Sequence, residues 1–180
     1  GRRPASYLLI ALIGGFLLML SLGTSTLIAV GGAIAMAFCS YNFQIITAGH
    51  NTKMQAIAYF PWVLAATIFT YKSALKSSAD NNTDRMLGPN CPPVKGNKKN
   101  WWFKVILGAV LFAFALSFQI KANHVQITYY LAIVIFAYVI GLFIKTYFDE
   151  TAYSKAGAVK NFFIASGLLL VAGGIGIATN

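Results

Sequence analysis

Few residues of this 180-residue chain could do chemistry, and their types and spacing limit what that chemistry could be. His50 and His124 are the only histidines. Two imidazoles can ligate a haem or a metal, so His50 and His124 are the candidate cofactor-binding residues. Their spacing argues against that role: they form no His-x-x-x-His pair, and no carboxylate or thiol stands near them. The expected role for both is to solvate a helix end, with no metal site and no bound cofactor other than lipid. Cys39 falls in an apolar stretch and Cys91 in a Pro-rich one, at different expected depths. A disulfide needs Cα atoms within about 7 Å, so two free thiols are expected.

Catalysis fares no better. A serine triad needs an acidic residue to orient its histidine. The acids are Asp80, Asp84, Asp149 and Glu150, all in polar stretches remote from both histidines. There is no phosphate-binding glycine loop and no H-E-x-x-H pattern. Gly173-Gly174-Ile175-Gly176 resembles a nucleotide fingerprint only in composition; inside an apolar run its glycines serve helix packing. No catalytic residue is expected.

The elements that would position these residues are membrane helices. Hydrophobic residues make up 58% of the chain, charged residues 10%, and the mean hydropathy is +0.68. A soluble domain carries about a quarter charged residues. A spanning helix needs about 20 mostly apolar residues. Between Pro4 and Thr52 there is no charge, room for two spans, and Gly23-Thr24-Ser25-Thr26 is a turn signal between them. The pattern predicts spans over 6–22, 27–46, 54–71, 101–120, 125–148 and 161–179. The expected fold is therefore an all-α, polytopic integral membrane helical bundle, a single membrane domain over 1–180. The count is six transmembrane helices, or five if the first two form a re-entrant or interfacial hairpin. Residues 72–100 read as a solvent-exposed loop between the third and fourth spans. Gly1-Arg2-Arg3-Pro4 before the first span has the look of a signal peptide, but without a small-x-small cleavage site it reads as a retained helix.

The net charge of +10 comes from 14 Lys and Arg against 4 Asp and Glu. These basic residues lie between apolar runs, where they act as topology determinants rather than a nucleic-acid face. With six spans, Arg2, Arg3, Lys53 and Lys121 share one side and all other basic residues the opposite one. The positive-inside rule then puts the basic loops 72–100 and 149–160 on the cytoplasmic or matrix side. The same reasoning discounts the glycosylation sequon Asn81-Asn82-Thr83. The sparsely charged side carries amides and imidazoles instead: Asn42, Gln44, His50, Asn51, Gln55, Gln119, Asn123, His124 and Gln126.

No carboxylate falls within a predicted span, and Lys104 and Lys145 lie near span ends where they can snorkel. Ion-coupled transport is therefore disfavoured. Small residues recur at four-residue spacing: Ala11 and Gly15, then Gly31, Ala35 and Cys39, then Ala172 and Gly176. Such stripes let backbones approach closely, within the chain or against another subunit. The aromatic-rich fourth and fifth spans suit lipid, bound pigment or quinone, or a partner, with lipid the default. The halves match too loosely to make an inverted repeat. The expected function is a non-catalytic structural or accessory subunit of a larger membrane-embedded assembly. Respiratory, photosynthetic and secretion complexes, or a self-assembling envelope or filament, are the candidate settings. The alternative is a small oligomeric channel or facilitator not coupled to an ion gradient. The expected partners are the lipid bilayer and other membrane subunits or copies of the chain itself.

Overall fold

A chain crossing hydrocarbon must satisfy its backbone hydrogen bonds internally, so each long apolar run becomes a helix. The computed structural model describes residues 4–86, 98–148 and 155–180, with side chains for 5–75, 101–148 and 156–180. Its elements are all helical: α1 (Pro4–Leu22), α2 (Thr26–Ala37), α3 (Ser40–Thr47), α4 (Asn51–Met86), α5 (Lys98–Lys121), α6 (Val125–Phe148) and α7 (Lys155–Ala178). Six stretches are long and apolar enough to span a membrane, with α2 and α3 together making the second. Gly23, at φ 95°, turns the chain between α1 and α2.

The second span is the main departure from the predicted helices. It breaks at Phe38-Cys39 instead of running unbroken over 27–46. The cause is Asn42, whose Nδ2 donates to the carbonyls of Met36 and Ala37, each at 3.0 Å. An unbroken helix would fill those acceptors from the N–H groups four residues on. The side-chain amide offers them another partner, as Asn does at helix ends. The third span also departs: α4 continues to Met86 and α5 starts at Lys98, so 72–86 and 98–100 of the expected loop are helical, while 87–97 lie outside the described residues. No glycine or proline occurs between Tyr71 and Gly88, so nothing local stops the helix. α7 likewise starts at Lys155, before the predicted 161, on alanine-rich sequence.

α4 is the centre of the bundle, with 67% of its span buried. A Cβ on Gly108 of α5 would collide with Thr70 Oγ1 and stand 3.3 Å from the Thr70 Cα, so α4 and α5 lie nearly backbone to backbone. On the other flank, Gly14 of α1 lies against the rings of Pro61 and Trp62. The Trp62 indole donates to the Ile10 carbonyl at 2.8 Å. α7 is fastened at both ends. Tyr71 Oη pairs with Ser166 Oγ at 2.8 Å and Asn161 Nδ2 donates to the Ala74 carbonyl at 3.1 Å. At the far end Asn180 Nδ2 reaches Ser117 Oγ at 2.8 Å.

The small-residue stripes divide. Ala11 and Gly15 of α1 are buried, Gly15 against Ala33, and Ala172 and Gly176 of α7 are buried, Gly176 against the Ala113 carbonyl. On α2 the inward stripe is Ala29, Ala33 and Ala37. Gly31, Ala35 and Cys39 face out instead, and a Cβ on Gly31 would meet nothing within 4 Å.

A valine at Gly108 forces α4 and α5 apart, and the expected loss is about 1–3 kcal/mol. Gly31→Val stays within about 0.5 kcal/mol of the parent, as surface changes do. Unfolding midpoints of the detergent-solubilised variants measure both. Equal losses would mean that the α4–α5 approach does not hold the bundle.

Candidate functional site

Two irregularities interrupt the helices, and they meet. One is the α2–α3 break. The other is Pro61 inside α4, which has no N–H to give the Ile57 carbonyl one turn earlier. Irregular backbone at membrane depth persists where it is buried in protein or lines a cavity. Here both line a single cleft of about 400 Å³.

Five helices and the α2–α3 junction build its walls. α4 contributes Lys53, Ile57, Phe60 and Pro61, which recur on one helical face. α1 supplies Ala11, α2 Met36, the junction Cys39, α3 Tyr41 and Asn42, and α6 Gln126, Ile127 and Tyr130. Polarity is graded along the cleft. At one end Lys53 Nζ stands 5.4 Å from the Tyr41 ring centroid, and Gln126 Nε2 donates to Tyr130 Oη at 3.1 Å. Along α4 the lining then turns apolar through Ile57, Phe60 and Pro61. Asn42 is buried, and its amide is committed to the α2 carbonyls.

Neither candidate histidine lines this cleft. His50 is exposed before α4, and its carbonyl accepts from the Met54 N–H at 3.1 Å. His124 is half-buried before α6, its carbonyl accepts from Ile127 and Thr128, and its Nδ1 is buried without a partner. Among the described residues, no group of three or more His, Cys, Asp or Glu stands close enough to hold a metal ion. Cys39 is an exposed free thiol, and Cys91 lies outside the described residues.

Of the predicted polar set, Asn42, Gln55 and Gln119 turn inward. Gln119 is fully buried on α5, and among the described residues neither its Oε1 nor its Nε2 has a hydrogen-bond partner. Lys53, Tyr41 and Tyr130 are the residues that sequence reasoning passed over as site components. Lys53 had entered only as one charge in the topology count. Their signal was a run of polar residues, Ser40 to Gln44, inside an otherwise apolar span, opposite a span that carries a proline.

A second cavity, of about 440 Å³, lies between α6 and the bundle. Phe112, Leu131, Leu169 and their neighbours make it almost wholly apolar, with the Tyr71–Ser166 pair at its edge. It exists because α6 stands off from α5.

Replacing Gln119 by Met keeps the volume and removes an amide that is buried without a partner. The expected gain is about 1–3 kcal/mol of stability, read from the unfolding midpoint in detergent. A loss of that size would instead identify a hydrogen-bonded partner held by the amide.

In comparisons with protein-family models, with curated proteins and with solved structures, nothing matches this chain.

Proposed function

We propose that the chain is a non-catalytic structural or accessory subunit of a larger membrane-embedded assembly, of the respiratory, photosynthetic, secretion or envelope-forming kind. The observation that carries this reading is the state of α6. In lipid, helices gain no hydrophobic free energy by meeting each other, so position comes from close packing and interhelical hydrogen bonds. α6 has little of either. Only 11% of its span is buried, against 67% for α4. Its side-chain hydrogen bonds among the described residues stay within the helix or reach its own N-terminal turn: Gln126 to Tyr130, Thr128 to His124 and Thr146 to Leu142. A Cβ on Gly141, in its C-terminal half, would meet nothing within 4 Å. A span so weakly held by its own chain takes its position from a surface outside it, and another membrane subunit supplies one.

The distribution of charge supports the same reading. Every charged residue in the six spans lies within five positions of a span end, and none is acidic. Gradient-driven carriers draw on ionisable groups at mid-depth. By the count of basic residues, the segments 72–100 and 149–160 face the cytoplasm or matrix.

Native mass determination in mild detergent, combined with Gly141→Leu, tests the proposal. The parent is expected to run as a defined heteromer. Gly141→Leu is expected to lower the heteromer fraction while leaving the unfolding midpoint of the isolated chain unchanged, because the new side chain meets nothing within it. A monomer, or a heteromer indifferent to Gly141→Leu, would overturn the role given to α6. A symmetric homo-oligomer that conducts solute would replace the proposal with the channel reading.

A further inference from the structure

The cleft at the α2–α3 break has features that neither helix packing nor subunit contact explains. Among the described residues its cation has no acidic counterpart. Lys53 opens α4, and the next acid on that helix, Asp80, lies 27 residues on, about 40 Å along the axis. No carboxylate is among the residues that line the cleft. Lys53 stands instead over the ring of Tyr41, whose face attracts a cation without neutralising it. Lys53 and Gln126 stand in the first turns of α4 and α6, and from Lys53 to Pro61 the α4 wall runs about 12 Å into apolar surface. The volume of about 400 Å³ falls within the roughly 300–1,000 Å³ range of ligand pockets.

We propose that this cleft binds one anionic phospholipid of the bilayer, with its phosphate at Lys53 and Tyr41 and an acyl chain along Ile57, Phe60 and Pro61. The charge fits, because an ammonium near the span end stands at the depth of a lipid phosphate. The polarity gradient fits, because a phospholipid is charged at one end and apolar for the rest of its length. The aromatic rim fits, because Tyr41 and Tyr130 flank the polar end as tyrosines do at headgroup depth. Other occupants fit less well. A small soluble anion would leave the apolar wall unused. A partner helix, about 10 Å across, needs a long groove rather than a pocket confined to one end.

The test is a native mass titration of the purified, delipidated full chain with phosphatidylglycerol and with phosphatidylcholine of the same acyl chains. One phosphatidylglycerol is expected to be retained in preference to phosphatidylcholine. Lys53→Gln is expected to weaken its binding about fivefold, the effect of one lysine on an anionic headgroup, while Lys53→Arg retains it. Lys121→Gln, which removes an exposed lysine at the end of α5 outside the cleft, is expected to leave it unchanged. Glycerol 3-phosphate, carrying the phosphate without acyl chains, is expected to bind at least about tenfold more weakly, since it forgoes the apolar wall. The proposal is overturned if Lys53→Gln binds phosphatidylglycerol as the parent does. It is also overturned if Lys121→Gln loses as much, which would mean diffuse surface charge. Equal binding of glycerol 3-phosphate would make the cleft a site for soluble anions and overturn it too. Circular dichroism and gel filtration of each variant separate lost binding from lost fold.

Discussion

Everything else in this bundle depends on how closely α4 approaches its two flanking helices. Apolar surface gains nothing by leaving lipid for another apolar surface, so helices in a bilayer associate through shape and hydrogen bonds. α4 obtains both. At Gly108 the absence of a side chain lets α5 come within touching distance of the Thr70 backbone. At Gly14 the same device admits the Trp62 indole, whose N–H then reaches the Ile10 carbonyl of α1. That carbonyl already serves its own helix, but a carbonyl oxygen has two lone pairs and can accept twice. Trp62 thereby ties α1 to α4 without opening a backbone bond. With α1, α4 and α5 fixed, α7 is added against α4 and α5 through Tyr71, Asn161 and Asn180.

The cleft follows from the same arrangement. Pro61 adjoins Trp62, so the residue that removes an α4 hydrogen bond sits beside the one that fastens α4 to α1. Across from it, Asn42 ends α2 by taking up two of its last carbonyls. Buried polar backbone is expensive in lipid, and here the amide satisfies the α2 end from within the protein. The chain can therefore change direction at Cys39 without stranding those acceptors. The space created by the change of direction is bordered by Met36, Tyr41 and the Lys53–Pro61 face of α4.

How much of this could be read from the residues depends on the range of the interaction. Span number and rough position follow from the lengths of apolar runs, a local property. α6 comes out at its predicted bounds because Lys121-Ala122-Asn123-His124 marks its start and Asp149-Glu150 follows its end. The break in the second span was harder, because Ser40 to Gln44 is compatible with a helix until the Asn42 amide is seen to have taken the α2 carbonyls. The stripe on α2 shows a different limit. Ala29, Ala33 and Ala37 and the alternative Gly31, Ala35 and Cys39 are both small residues four apart. Composition cannot choose between them; the rotation of α2 against Gly15 and Met19 does. The cleft was beyond a reading by segments, since α1, α2, α3, α4 and α6 each contribute to it, with the α2–α3 junction.

α6 and α7 make the instructive contrast. Both are 24 residues long and apolar, yet they differ in polar residues that face the bundle. α7 has Asn161 and Ser166 turned toward α4, and Asn180 just beyond its end holds α5. α6 has tyrosines instead, and Tyr129, Tyr130 and Tyr147 are exposed. One consequence concerns the cavities. Ile127 and Tyr130 line the cleft, while Leu131 and Phe136, about one turn further along, line the apolar cavity. α6 is thus a wall of both, and it meets α4 and α7 through aromatic rings, Tyr138 against Tyr71 and Phe143 against Phe162. Because one helix walls both spaces, its packing against α4 and α7 bounds them together. Ile127 and Leu131, the two residues by which its N-terminal half is buried against the bundle, face one space each.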